Sequence, residues 1–171
     1  MSAFLLETGA LAALPEMTLA LLAMWLLMLG VFRKGTSREI SNILAVAFLG
    51  LAAVLVLMGM DGPQDAFGGA FVADAFSRLM KVLVLLGAAT SVVMSYSYMR
   101  NHLAMEFEYP VLIMLAAIGM MMMISANSLI ALYVGLELQS LSLYVLAAFR
   151  RDNARSSEAG LKYFVLGALS S

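Results

Sequence analysis

Polar punctuation cuts this chain into five long apolar runs and the beginning of a sixth. About 17–25 apolar residues are needed to cross a bilayer as a helix. The runs Ala13–Phe32, Ser41–Met60, Phe76–Met99, Tyr109–Ala126 and Ser128–Phe149 all meet that length. Pro15 suits the first turn of the first run, where its missing N–H costs nothing, and Glu16 beside it complements the positive helix end. The stretch DGPQDAFGGAFVAD, residues 61–74, separates the second run from the third with Gly and Pro. The turn Ala126-Asn127-Ser128 passes directly into the fifth run. A sixth run opens near Ser157 and is still apolar at Ser171, too short to span. The expectation is therefore a fragment that ends inside this helix. The fold class predicted is all-α, a polytopic membrane bundle.

Composition agrees. Apolar residues make up 63% of the 171, charged residues only 12%, and the mean hydropathy is +0.96. Soluble domains carry about a quarter charged residues, so lipid is the expected solvent. The net charge of −1 gives no basic stripe for nucleic acid. The absence of cysteine excludes disulfides, iron–sulfur clusters and thiolate zinc sites from this chain. A single histidine excludes a pair of axial haem ligands. No P-loop, GxGxxG or HExxH is present. No Lys or Arg precedes the first apolar run, the reverse of a secretory signal.

Basic residues set the orientation. The loop after span 1 has Arg33, Lys34 and Arg38, that after span 3 has Arg100, and that after span 5 has Arg150, Arg151 and Arg155. The loops after spans 2 and 4 have none. The positive-inside rule places the three basic loops in the cytoplasm and the N-terminus on the periplasmic side. Three cations remain, Arg78, Lys81 and Lys162.

Glu137 is the strongest candidate for chemistry. It lies near the centre of span 5, ~18 Å from the cytoplasmic end, too short and too deep to snorkel. Tyr133, Ser140 and Tyr144 fall on its helix face at i−4, i+3 and i+7. An acid held inside a membrane at a cost of a few kcal/mol is a functional site before it is a packing device. Lys162, about five residues into the sixth run, has Glu158 at i−4 as a partner, and snorkelling alone would also suit its depth. Asp74, Arg78 and Lys81 share a face at the outer start of span 3. They read as an exposed ion pair beside a snorkelling lysine, with a role in proton exit or subunit contact as the alternative. Glu16 reads as a helix-start acid and His102, beside Asn101, as a surface histidine. Met114 and Met120–Met123 read as flexible core packing, and Arg150, Arg151 and Arg155 as topology signals that also suit anionic lipid.

The segment around Glu137 carries a resemblance. LELQSLSLYVLAA followed by EAGLKYFVLGALSS is similar to the antiporter-like membrane subunits of respiratory complex I, closest to the N-type subunit. DAFSRLMKVLVLLGAA and ALPEM also resemble that subunit. The resemblance runs along most of the chain but would cover only about the first third of a full member. It implies inverted repeats with broken helices. Residues 1–108 would be three helices preceding the first repeat, and residues 109–171 the start of that repeat. It implies further that Glu137 is the helix-5 glutamate of the proton-transfer set and Lys162 the helix-6 lysine of N-type chains. No cofactor is then expected in this chain. NADH, flavin, iron–sulfur clusters and quinone belong to partner subunits, and the other membrane subunits of complex I, the lipid bilayer and protons are the expected partners. The expected location is a bacterial inner membrane. A subunit of a multi-subunit cation/proton antiporter, or of a hydrogenase-linked pump, shares the helix-5 glutamate. An assembly scaffold is the alternative of a different class, whereas a channel is disfavoured because no ring of acids is visible.

Overall fold

The computed structural model describes residues 10–32, 37–59, 64–101, 107–150 and 152–170. Arg33, Lys34, His102 and Arg151 lie outside the described residues, as do the side chains of Arg38, Arg100 and Asn101. A short 3₁₀ turn at Ala10–Ala13 leads into α1 (Leu14–Phe32), followed by α2 (Ser37–Leu57). Two three-residue strands, β1 (Gln64–Ala66) and β2 (Phe71–Ala73), precede α3 (Ala75–Asn101). Then come α4 (Glu108–Ser125), α5 (Leu129–Ala147) and α6 (Ala154–Ser170). α1 to α5 are each long and apolar enough to cross a membrane. The five predicted spans and the start of the sixth are thus all helices, with ends shifted by a few residues.

Helices α1 to α4 close into a ring in which α1 packs on α2, α2 on α3, α3 on α4 and α4 on α1. Each turns a 3.6-period stripe inward. In α1 the stripe is Leu19, Ala23 and Leu26; in α2 it is Ala45, Leu49, Ala52 and Val56; in α3 it is Leu85, Ala88 and Val92. α4 is the most enclosed helix and places Met114 and Met121 in the core, as expected of adaptable methionine packing. α5 packs on α4, and α6 on α5. α4 also joins helices on both sides of residue 108 in one core.

Gly119 of α4 and Gly135 of α5 let these two backbones touch. A Cβ on Gly119 would sit 2.6 Å from the Gln139 nitrogen and 2.7 Å from the Gly135 carbonyl oxygen. Small residues at such crossings permit the close approach that stabilises helix pairs in lipid. Ser128 caps α5, its Oγ accepting from Ala131 N–H at 3.2 Å.

The segment expected to be a simple Gly/Pro break contains an antiparallel hairpin, a small departure from an all-α chain. Its loop runs through Phe67, Gly68 and Gly69, all at positive φ, which glycine tolerates without a Cβ penalty. The hairpin folds back over one end of the ring. Ala66 and Phe71 pack on Ala12 and Ala13, and Phe71 forms a β-bridge with Ala126. Asn127 donates its backbone N–H to Ala70 O at 2.9 Å and its side-chain Nδ2 to Gly69 O at 2.8 Å. The start of α1, the hairpin and the α4–α5 turn therefore lie at the same end, as alternating spans require. Asn127→Ala removes the exposed Nδ2 anchor and is expected to cost about 1 kcal/mol. Thermal unfolding of the detergent-solubilised chain checks this, as does faster proteolysis within residues 64–73.

Candidate functional site

Glu137 is the ninth residue of the 19-residue α5 and the only charged residue in that helix. Its carboxyl is half-buried. Among the described residues it has no hydrogen-bond or ion-pair partner. Ser140 on the same face is half-buried too, whereas Tyr133 is exposed. Tyr144 is turned toward α6, where its ring meets Tyr163 edge-on at 4.8 Å and Phe164 at 5.8 Å. Gly167 makes room for the Tyr144 hydroxyl. Tyr144 thus joins α5 to α6 at the lower end of the Glu137 face. This arrangement presents a carboxyl at mid-helix on a surface that the described helices leave half open.

Lys162 bonds Glu158 at 2.5 Å, the i−4 pairing read from the sequence. Both side chains are largely exposed, at 70% and 61%.

Asp74, Arg78 and Lys81 do not form the exposed cluster expected of them. Lys81 is buried, with its side chain 3% exposed, and it does not snorkel. Its Nζ lies 2.6 Å from Oε1 of Glu16, whose side chain is 6% exposed. The contact is ionic: neither Glu16 oxygen meets hydrogen-bond geometry. Lys81 Nζ also stands 4.8 Å from the centroid of the Phe71 ring, within cation–π range. Glu16 is therefore more than a helix-start acid; it links α1 to α3 across the ring. Alternation explains the meeting, because α1 and α3 run the same way and both begin at the hairpin end. The periodicity carried a signal. Glu16 lies on the Leu19–Ala23–Leu26 stripe, and Lys81 on the Leu85–Ala88–Val92 stripe, so each helix turns a charge into the core.

Asp74 caps α3 instead of pairing in solvent. Its Oδ1 accepts from Ser77 N–H at 2.7 Å, while its own N–H donates to Ser77 Oγ at 2.8 Å. The Ser77 backbone bond, then the Ser77 hydroxyl, and more weakly the Arg78 guanidinium hold the Asp74 carboxyl below its ordinary range. Arg78 donates to Gly59 O at 3.3 Å, tying the end of α2 to the start of α3. No group of three His, Asp or Glu that could hold a metal ion occurs among the described residues.

Known proteins share this arrangement of helices. Residues 126–171, the stretch that holds Glu137 and Lys162, match the transmembrane family described as NADH:quinone oxidoreductase/Mrp antiporter. The NADH-quinone oxidoreductase subunit N of Parvibaculum lavamentivorans is 55% identical over 94% of this chain and 33% of its own length. That of Rhodospirillum rubrum is 55% identical over 93% of this chain and 33% of its own length. The chain resembles the antiporter-like subunit N. Its fold agrees, for it superimposes on a chain of respiratory complex I from Thermus thermophilus, solved with bound aureothin, at a TM-score of 0.74. The identity there is 32%, and 91% of this chain and 33% of that chain are covered. The chain thus spans about a third of the length of the subunit N relatives it matches.

Proposed function

We propose that this chain is part of a proton-translocating membrane subunit of an NADH:quinone oxidoreductase, with Glu137 as a proton-transfer residue. The observation that carries the reading is the carboxyl itself, placed halfway along an otherwise uncharged apolar helix and half-buried on an open face. Such a group holds or releases a proton as the charge around it changes. Two unit charges about 8 Å apart interact by about 2 kcal/mol at an effective dielectric near 20, which moves a proton equilibrium by more than tenfold. Lys162 is the second member of the relay and exchanges its surface partner Glu158 for the relay when it functions. Ser140, Tyr133 and Tyr144 supply hydroxyls along the same face.

In this reading residues 1–108 precede the first antiporter-like repeat and residues 109–171 open it. NADH, flavin, iron–sulfur clusters and quinone are held by partner subunits, and the driving signal comes from quinone reduction there. The similarity to bacterial subunit N chains supports a bacterial inner membrane. The basic loops support a periplasmic N-terminus.

Glu137→Gln in the assembled complex is the test. The isosteric amide keeps the packing but carries no exchangeable acid. The expected result is an assembled enzyme that oxidises NADH but loses most of its proton pumping in sealed vesicles. Unchanged protons per NADH would overturn the role and favour a scaffold. The family description also names the Mrp antiporter, which favours a cation/proton antiporter subunit as the second reading. That reading requires transport driven by a sodium gradient with no NADH-dependent step.

A further inference from the structure

Glu16 and Lys81 take no part in the relay proposed around Glu137, yet they are buried charges inside a membrane bundle. A purely apolar packing pair would hold α1 and α3 without the desolvation cost of two ions. Among the described residues, the buried side-chain polar atoms without a hydrogen bond are both Glu16 oxygens and Ser125 Oγ. Glu16 begins α1 and Ser125 ends α4, so both residues belong to the end of the ring that the hairpin covers. A cleft of about 230 Å³ opens on the Lys81 side of the pair, between Leu14 and Pro15 of α1, Met58 and Gly59 after α2, and Arg78 and Lys81 of α3. At ~30 Å³ per molecule it has room for several waters. Lys81 thus faces Glu16 on one side and, on the other, a cleft whose charged lining is Lys81 itself and Arg78. Among the described residues, the other charged groups near this end are Arg78, which donates to Gly59 O, the capping Asp74 and the exposed Asp65 of β1.

We propose that Glu16 and Lys81 form a second proton-binding site, which passes protons to water on the hairpin side of the membrane. It rests on the proton-translocating reading above. In the resting pair Glu16 is a carboxylate and Lys81 an ammonium. Lys81 gives one N–H proton to water in the cleft and becomes a neutral amine. Glu16 takes up a proton arriving from the interior of the bundle and becomes a carboxylic acid. When the Glu16 carboxyl turns to align the 2.6 Å contact as a hydrogen bond, that proton crosses to Lys81 Nζ, which restores the carboxylate and the ammonium. One proton has then moved outward, and no other bond has changed.

Two variants of the complete complex separate this site from a simple brace. Lys81→Arg keeps the ion pair, but a guanidinium does not release its proton. Glu16→Gln combined with Lys81→Met removes both charges and leaves neither unpaired. Proton pumping in sealed vesicles is counted per NADH oxidised, beside Glu137→Gln. Both variants are expected to assemble and to pump fewer protons per NADH than the wild type. Wild-type pumping by either assembled variant overturns the proposal. Failure of both to assemble also overturns it, by marking the pair as a brace. If Glu137→Gln loses pumping while Lys81→Arg keeps it, only the second site falls. If Glu137→Gln pumps normally, the reading of the whole chain falls.

Discussion

Lys81→Met alone is expected to destabilise the chain by about 3–5 kcal/mol, because it leaves the Glu16 carboxylate buried without its counter-charge. Three features make this site unforgiving. The side chain of Glu16 is 6% exposed and does not line the cleft that Lys81 meets, so the carboxylate has no solvent to replace the lost ammonium. Neither Glu16 oxygen has a hydrogen bond to fall back on. The Phe71 ring that covers Lys81 attracts a cation and offers a carboxylate nothing. The measurement is the midpoint of thermal unfolding in detergent, together with the amount of assembled complex. Adding Glu16→Gln to Lys81→Met should restore most of the loss. A single variant as stable as the wild type would show that the ion pair does not hold α1 to α3.

Gly119→Leu is expected to cost ~3 kcal/mol or more, at the upper end of overpacking penalties. The new side chain would meet backbone, not the mobile tip of a neighbour. Its Cβ alone would lie 2.6 Å from Gln139 N, 2.7 Å from Gly135 O and 3.0 Å from Gln139 Cα. The pair is reciprocal, since a Cβ on Gly135 would lie 2.9 Å from Gly119 O. α5 would have to move off α4, carrying Glu137 with it. The check is a paired-cysteine crosslink between α4 and α5, which forms readily in the wild type and should fail in the variant. Gly50→Leu is the control, since a Cβ there meets nothing within 4 Å.

The helices were legible because lipid imposes a length and an apolar composition that few other structures share. The packing role of Met114 and Met121 was legible from local chemistry. The hairpin was not. Its strands are three residues each, and its register depends on contacts with Ala12, Ala13 and Ala126, far away in sequence. Glu137 stood out because one acid in an apolar run needs no partner to be noticed. Glu16 and Lys81 were harder, because 65 residues separate them and each has a plausible local reading. Only the inward stripes of α1 and α3 marked them as core positions. The glycine contact between α4 and α5 was hidden as well, because periodicity shows which face is apolar but not how closely two backbones approach.

The position of α4 bears on how force travels through this chain. It touches α1 and α3 on one side and α5 on the other, and the Phe71–Ala126 bridge rivets the hairpin to its far end. α3 alone is about 40 Å long (27 residues). A tilt of about 3° at α5, transmitted rigidly, would displace the opposite tip of such a rod by about 2 Å. Through α4, then, a small rigid swing at Glu137 would be felt at the far ends of the helices packed against it.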